Sequence, residues 1–550
     1  MASNFTIIAN VVDIAGRRTY PAQVEVRDGR IVDITALAAG STTYLLPGFI
    51  DAHVHIESSM LVPSEFARAA VVHGTVATVS DPHEIANVLG VAGVRYMLEN
   101  AAQVTFKFNF GAPSCVPATA FETAGAEITV AEVKALLDDP RIRYLSEMMN
   151  FPGILQGDPT CLAKVKAAHE RGKPVDGHAP GLRGEEAARY IAAGISTDHE
   201  CFTKEEALDK LAAGCKIAIR EGSAARNFDA LYPLIGECPG RTMLCSDDKH
   251  PDELLVGHIH TLVRRAVERG IDVYDALRAA CVTPVEHYGL DVGQLRVGDP
   301  ADFIEVDSLT QFEVLRTWID GRLVAEDAKT TIPRVEPAVV NNFVPTQVAA
   351  EDIAVSAPAD STLKLQVIEA LDGQLITNRL TFPAQVVNEA VHAQLDLDIL
   401  KLVVVNRYYR APPAIAFIKN FGLQRGAMAS SVAHDSHNVI AVGADDGDMV
   451  AAINLVMEAG GGLSAACAAE GVAEVLPLPV AGLMATGTCQ EVAAEYAKLD
   501  QLVKRWGSSL RAPYMTLSFM ALLVIPSLKL SDRGLFDGAR FEFTDLLGDI

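Results

Sequence analysis

The sequence predicts a (β/α)8 barrel, a small β-sandwich built from both sides of the barrel, and a C-terminal α/β domain. Eight short apolar segments of strand character alternate with helical stretches between residues 48 and 245. His, Glu and Asp stand at the ends of several of these segments, and a barrel gathers its strand ends on one face. The alternative is a doubly wound open sheet, but no Gly-x-Gly-x-x-Gly follows the first strand.

Eight alternating units over roughly 200 residues suit a barrel, whose usual size is about 250 residues. Helical spacing of apolar residues occurs at 130–137, 161–171 and 204–213. The predicted barrel strands are 48–52, 75–80, 105–110, 142–145, 174–176, 195–197, 216–219 and 242–245.

The regions on either side of the barrel differ in character. Residues 5–34 read as short strands separated by tight turns at 15–18 and 28–30, and further short strands follow the barrel up to Val324. The stretch before residue 362 is rich in Pro, Ala and Val without a regular period. We therefore expect four parts, namely a composite β-sandwich of 1–47 and 286–331, the barrel at 48–285, a linker at 332–361, and the C-terminal domain at 362–550.

Composition indicates a folded protein that does not bind nucleic acid. The 550 residues are 49% hydrophobic and 21% charged, and the net charge is −24. A phosphate backbone is bound by clustered Lys and Arg, so this balance favours a neutral or cationic small substrate.

Cysteine usage and hydropathy predict a soluble protein of the cytoplasm. The nine Cys form no Cys-x-x-Cys pair, as expected for reduced thiols. The first residues lack the features of a signal peptide, and the longest late apolar run, 520–525, is too short for a membrane span. We expect a homodimer, because the large second domain offers strands that could be exposed.

Metal-ligand residue types recur at the predicted strand ends. His53 and His55 follow the first apolar run two positions apart, so both imidazoles point the same way along a strand. The carboxylate of Glu147 has two oxygens and can bridge two cations. Asp247 is nearer its strand end than Asp248, which remains the alternative ligand. The full predicted set is His53, His55, Glu147, His178, His199 and Asp247.

This mixture of nitrogen and oxygen ligands suits Zn²⁺, Fe²⁺ or Mn²⁺ better than a thiolate-preferring ion. Paired cations acidify a bound water, and the last Asp can accept its proton and return it to a leaving group. Such a site is predicted to perform hydrolysis.

The ligand set resembles that of the amidohydrolase superfamily, and finer motifs resemble the adenine deaminase family within it. The resemblance covers almost the whole chain, including the C-terminal region. The motifs that carry it are PGFIDAHVHIESSM (47–60), DPHEIANVLG (81–90), PSCVPAT (113–119), EMMNFPG (147–153), DGHAPG (176–181), TDHE (197–200), SDDKHPDELL (246–255), SSVAHDSHN (430–438) and the segment 517–526.

The resemblance implies deamination of adenine to hypoxanthine and ammonia in purine salvage, with metal-bound hydroxide attacking C6. It implies two divalent cations, Mn²⁺ or Fe²⁺ rather than Zn²⁺, with Glu147 as the bridge. The implied catalytic residues are Asp247, Glu147 and His199. The alternative is an amidohydrolase acting on a cyclic amide or another aminopurine. Some such enzymes bridge their metals with a carboxylated Lys, whereas the matching position here is Glu147.

Other polar residues are weaker predictions for substrate contact. His83 and Glu84 follow the second predicted strand and would face the same mouth of the barrel. A polar loop or turn is the alternative for each residue of this group. His434 and His437, three positions apart with a carboxylate between them, could also bind a metal. The predicted substrate-binding residues are His83, Glu84, Ser114, Glu122, His434, Asp435 and His437.

Overall fold

The computed structural model of the protein describes residues 4–358 and 363–549. Residues 1–3 of the predicted sandwich, residues 359–361 of the predicted linker, and residues 362 and 550 of the predicted C-terminal domain lie outside this part of the chain.

A barrel of eight parallel strands forms the centre of the protein. The strands are paired in sequence order, and an isolated bridge between Val54 and Asp247 links the first strand to the end of the eighth. This confirms the predicted (β/α)8 architecture. The third and sixth strands each begin two residues later than predicted. The observed strands are Phe49–Val54, Thr75–Ser80, Lys107–Ala112, Ile142–Met148, Val175–Gly177, Thr197–Asp198, Lys216–Arg220 and Thr242–Cys245.

Five of the helices of this region begin with a side chain that caps the helix N-terminus. Thr129 and Glu132 form a capping box, and Asp158 accepts hydrogen bonds at the start of a helix whose first residue is proline. The helices are Pro63–Ala70, His83–Leu89, Val91–Ala101, Val130–Asp138, Phe151–Gln156, Pro159–His169, Gly184–Ala192, Lys204–Ala212, Phe228–Leu231, Pro233–Glu237, Pro251–Val256, Ile259–Glu268, Val273–Leu277 and Thr283–Tyr288.

Strands from both sides of the barrel form one eight-stranded sheet. The ring of Phe5 lies 5.9 Å from that of Trp318, although two other strands lie between the strands that contain these residues. The sheet therefore curls over a small apolar core that includes Phe303, in agreement with the predicted sandwich. Its strands are Phe5–Asp13, Arg18–Arg27, Arg30–Ala36, Tyr44–Pro47, Phe303–Val306, Val314–Ile319, Arg322–Glu326 and Lys329–Thr330.

The C-terminal α/β domain contains a nine-stranded sheet and a separate three-stranded sheet, Leu528–Ser531, Gly534–Asp537 and Glu542–Phe543. Its helices are Asp446–Ala459, Cys489–Arg505 and Pro513–Ser518. The strands of the larger sheet are Leu363–Ala370, Thr377–Pro383, Ile399–Val405, Ala414–Lys419, Ala427–Ser430, Val439–Gly443, Gly462–Cys467, Val472–Pro477 and Leu547–Asp549.

The C-terminal domain packs directly on the barrel. The amide nitrogen of Ala485 donates to the carbonyl oxygen of Met60, and the side chain of Asn438 donates to the carbonyl oxygen of Thr123. These contacts place the C-terminal domain near the carboxyl ends of the barrel strands. Among the described residues, no helix has both the length and the apolar character that a membrane crossing requires.

Candidate metal centre

Two histidines at the end of the first barrel strand lie side by side. His53 and His55 are 2% and 4% exposed, and their Nε2 atoms are 3.2 Å apart. The ring of His53 also stacks on that of His199 at 4.0 Å. Burial, followed by the neighbouring His199 and His55, lowers the pKa of His53 well below its usual range. The resulting neutral imidazole is the form of histidine that ligates a metal.

Glu147, near the end of the fourth strand, lies between two groups of imidazoles. Its Oε2 atom is 2.9 Å from Nδ1 of His178 and 3.1 Å from Nε2 of His199. Its Oε1 atom is 3.6 Å from Nε2 of His55. Burial opposes ionisation of Glu147, but His178 and His199 outweigh it and hold the pKa well below its usual value. The two oxygens of one carboxylate thus face different histidines.

The carboxylate of Asp247 follows the eighth strand and completes this arrangement. Its Oδ1 atom lies 3.3 Å from Nε2 of His55 and 3.6 Å from Nε2 of His53. The neighbouring Asp248 has different contacts, because its Oδ1 atom accepts a hydrogen bond from Ser58 at 2.5 Å. Of the two aspartates, Asp247 is therefore the one in contact with these histidines.

The six side chains predicted as metal ligands converge at one end of the barrel. Their nitrogen and oxygen atoms belong to several groups that share members. Within each group the ligand atoms lie within 4.8 Å of one another. All six are buried, and the buried Nε2 atom of His178 has no hydrogen-bond partner. Imidazole nitrogens together with carboxylate oxygens are suitable donors for divalent cations such as Zn²⁺, Fe²⁺ and Mn²⁺. The donor set fits such ions.

His83 and Glu84, which follow the second strand, line a cavity beside the predicted metal ligands. Nδ1 of His83 lies 3.2 Å from Oδ2 of Asp81 and 3.5 Å from Oε1 of Glu147. Oε1 of Glu84 accepts a hydrogen bond from Ser58 at 2.9 Å. Burial raises the pKa of Glu84 well above its usual value, and the neighbouring Asp248 raises it further. His83 and Glu84 thus extend the polar wall beyond the predicted ligands.

The C-terminal domain forms the opposite wall of the cavity. His434 and Asp435 line it together with Leu375, Phe519 and Leu522. The ring of His434 stacks on that of Phe519 at 4.6 Å, and its Nδ1 atom lies 3.5 Å from Oε1 of Glu84. The cavity therefore lies between the polar strand ends of the barrel and apolar side chains of the C-terminal domain.

Three predicted substrate residues do not line this cavity. The hydroxyl of Ser114 donates to the carbonyl oxygen of Glu147 at 2.5 Å, so it contacts the backbone behind the site. Oε1 of Glu122 accepts hydrogen bonds from the amide and hydroxyl of Thr119, and burial raises its pKa to about 8. The ring of His437 is buried beside that of His434, with 5.6 Å between ring centroids.

Three charged residues of the site were not predicted from the sequence. Asp81 contacts His83, Glu200 lies 3.5 Å from Nε2 of His199, and Arg220 contacts Glu200. Arg220 had a recognisable signal, because it is a charged residue at the carboxyl end of the apolar run 217–219. Glu200 directly follows a predicted ligand, which was a second signal.

Comparison with known proteins adds to this geometry. Residues 44–324 match the amidohydrolase family, and residues 374–542 match the adenine deaminase C-terminal domain. The chain is 58% identical to a protein named adenine deaminase from Salinibacter ruber, over 100% of both chains. It is 54% identical to one from Sulfurovum sp., over 98% of both chains, and 50% identical to one from Methanosarcina mazei, over 98% of this chain and 99% of that protein. The chain belongs to the adenine deaminase family of amidohydrolases.

Proposed function

We propose that this protein hydrolyses adenine to hypoxanthine and ammonia. The observation that carries the proposal is the convergence of His53, His55, Glu147 and Asp247 with His178 and His199 beside a cavity lined by residues of both domains. The adenine deaminase names of relatives that match the chain over nearly its full length support adenine as the substrate. The acidic net charge of −24 is compatible with a base that carries no phosphate.

The chain is a divalent-metal hydrolase, and we propose that six side chains hold two ions. The ligands are His53, His55, Glu147, His178, His199 and Asp247. Glu147 is proposed as the residue shared by both ions, because its Oε1 and Oε2 atoms face different histidines. We propose Mn²⁺ or Fe²⁺ rather than Zn²⁺ as the native metal. When bound, such ions lower the pKa of a coordinated water so that hydroxide forms near neutral pH.

The residues of the chain would then place and move the protons of the reaction. Oδ1 of Asp247 faces the centre of the cluster, where it can accept a proton from the attacking water and return it to the departing amino group. Addition at C6 also requires a proton on a ring nitrogen. Glu84 lines the cavity and lies beside His434, so we propose it as the donor. His199 stacks on His53 and contacts Glu147, so we propose that it helps to hold the Glu147 carboxylate in place.

The apolar wall would bind the purine ring and exclude water from it. Phe519, Leu375 and Leu522 come from the C-terminal domain and face the polar strand ends across the cavity. A flat apolar ring against one wall and polar groups against the other is the usual arrangement of a small-molecule pocket. The proposal therefore requires both domains for activity.

We further propose the domain division given by the sequence and a cytoplasmic homodimer. Among the described residues every cysteine is a free thiol, as expected in a reducing compartment. The strands Thr377–Pro383 and Val472–Pro477 are at the two ends of the larger C-terminal sheet and offer edges for self-association. Analytical ultracentrifugation of the full chain tests the dimer, and a monomer at micromolar concentration would contradict it.

The function is tested by assaying ammonia release from a set of purines by the purified protein, loaded separately with Mn²⁺, Fe²⁺ and Zn²⁺. We expect adenine to give hypoxanthine and ammonia in equal amounts. A cyclic amide is tested in parallel for ring opening, and its hydrolysis without activity on adenine would instead support the alternative amidohydrolase activity. Preference for another aminopurine would support the proposed deamination reaction but would contradict adenine as its substrate.

A further inference from the structure

A buried arginine connects two acidic residues of the candidate metal centre. Arg220 ends the seventh barrel strand, and it is only 1% exposed. Its Nη2 atom donates to Oε2 of Glu200 at 2.8 Å, and its Nη1 atom donates to Oδ2 of Asp247 at 2.6 Å. Glu200 follows the sixth strand and Asp247 the eighth, so one guanidinium contacts residues from both neighbouring strands.

The contact with Arg220 gives the two oxygens of Asp247 different surroundings. Oδ2 accepts the hydrogen bond from Arg220, whereas Oδ1 lies 3.3 Å from Nε2 of His55 and 3.6 Å from Nε2 of His53. Rotation of the carboxylate about its last side-chain bond would break the hydrogen bond to the guanidinium. Loss of a buried hydrogen bond between two charged groups is costly, so the contact resists this rotation.

The arginine is itself held by the barrel. The amide nitrogen of Arg220 donates to Oδ1 of Asn227 at 2.8 Å, and Nδ2 of Asn227 donates to the carbonyl oxygens of His199 and Cys201. The bidentate contact with Glu200 fixes the plane of the guanidinium. Arg220 can therefore orient another side chain with little freedom of its own.

We infer that Arg220 is a positioning residue, which holds the Asp247 carboxylate with Oδ1 toward the histidines. This inference rests on the proposed function, in which Oδ1 exchanges protons with water and with the departing amino group. Arg220 does not line the cavity, so it acts through Asp247 and not on the substrate. A lysine at this position would keep the positive charge but lose the planar fork that contacts two carboxylates at once.

The first test compares Arg220→Lys with the wild type, each as the metal-loaded full chain. We expect kcat to fall about 100-fold, the order of loss that misplacement of a reacting group produces, with KM within about threefold of wild type. Metal content per chain should remain that of wild type. Loss of metal in proportion to the loss of kcat would overturn the inference and assign Arg220 to metal retention. Should Arg220→Lys be insoluble, Arg220→Gln is used with the same expectations.

Lys401→Met is the control for general destabilisation by the loss of a buried ion pair. Lys401 is 2% exposed and pairs with Asp446 at 2.6 Å in the C-terminal domain, and it does not line the cavity. We expect this variant to lose thermal stability and to keep the wild-type kcat. An equal loss of kcat in Lys401→Met and Arg220→Lys would show that the effect is general destabilisation, and it would overturn the inference.

A double-mutant cycle with Asp247→Asn gives the decisive result. If Arg220 acts through Asp247, then adding Arg220→Lys to Asp247→Asn should lower kcat by less than about threefold. Losses that multiply would overturn the inference. If the single Asp247→Asn variant has no measurable turnover, a crystal structure of Arg220→Lys decides, because an unchanged orientation of the Asp247 carboxylate contradicts a positioning role. Failure of the proposed function is a separate outcome, since the wild type itself would then release no ammonia from adenine.

Discussion

Nε2 of His83 lies 3.7 Å from Oδ1 of Asp435, across the boundary between the barrel and the C-terminal domain. Burial opposes protonation of His83, but Asp81 and then Asp435 outweigh it and raise its pKa well above the usual range. The carboxylate of Asp435 is correspondingly stabilised in its charged form by His83, against the cost of burial. An ion pair whose members come from different domains thus lines the cavity.

Replacement of His434 tests the catalytic contribution of the C-terminal domain. The imidazole of His434 lies 3.5 Å from Oε1 of Glu84 and stacks on Phe519. We expect His434→Ala to lower kcat by about 100-fold, the lower end of losses for groups that assist proton transfer, without unfolding the protein. Ammonia release and circular dichroism check this. The exposed His392 provides the control His392→Ala, and unchanged kinetics in His434→Ala would make the 430–438 segment structural.

Asp247→Asn should abolish deamination while much of the metal stays bound. An amide oxygen can still contact a cation, but the amide cannot accept the proton of the attacking water. We expect kcat to fall by about 1,000-fold or more, within the range for a lost general base. Parallel measurement of ammonia release and metal content checks this. Near-normal turnover would remove Asp247 from the proton path.

Asp248→Asn is the natural comparison for Asp247→Asn. The side chain of Asp248 accepts a hydrogen bond from Ser58 and does not share the contacts of Asp247 with His53 and His55. We expect its loss of kcat to be at least tenfold smaller than that of Asp247→Asn. The reverse order would exchange the two aspartates in the proposed mechanism.

Much of this architecture could be predicted from the sequence because its signals are local. The apolar runs gave all eight barrel strands, and the His-x-His spacing of His53 and His55 indicated two rings on one face. Contacts between residues far apart in the sequence could not be predicted in the same way. Arg220 acquires its role from contacts with residues 20 and 27 positions away. Such partners are determined by tertiary packing and not by local pattern.

The buried histidines His73 and His260 lie away from the cavity, and we expect them to make the protein less stable in mild acid. The rings of His73 and His260 stack at 5.0 Å. Burial, with the nearby His258, lowers the pKa of His73 to about 4, and burial, with His73, lowers that of His260 to about 2. Both are neutral when folded but bind protons readily when unfolded, where the pKa is about 6.5. With respect to these two histidines, the free energy of unfolding is therefore highest above about pH 6.5, and it falls as the pH drops toward 4.

His260→Phe tests this dependence because it keeps an aromatic ring and removes one titrating group. Urea midpoints at about pH 7.5 and pH 5 should differ less in the variant than in the wild type. An equal difference in the two proteins would show that His260 does not contribute to acid sensitivity.

Removal and restoration of the metal test whether the six converging side chains form a metal centre that the reaction requires. Purified protein is exhaustively treated with a chelator, assayed for ammonia release from adenine, and then titrated with Mn²⁺ or Fe²⁺. We expect activity to be lost with the metal and to return in full when about two ions are bound per chain. Undiminished turnover of the metal-free protein would contradict the convergence of His53, His55, Glu147, His178, His199 and Asp247 as a metal centre.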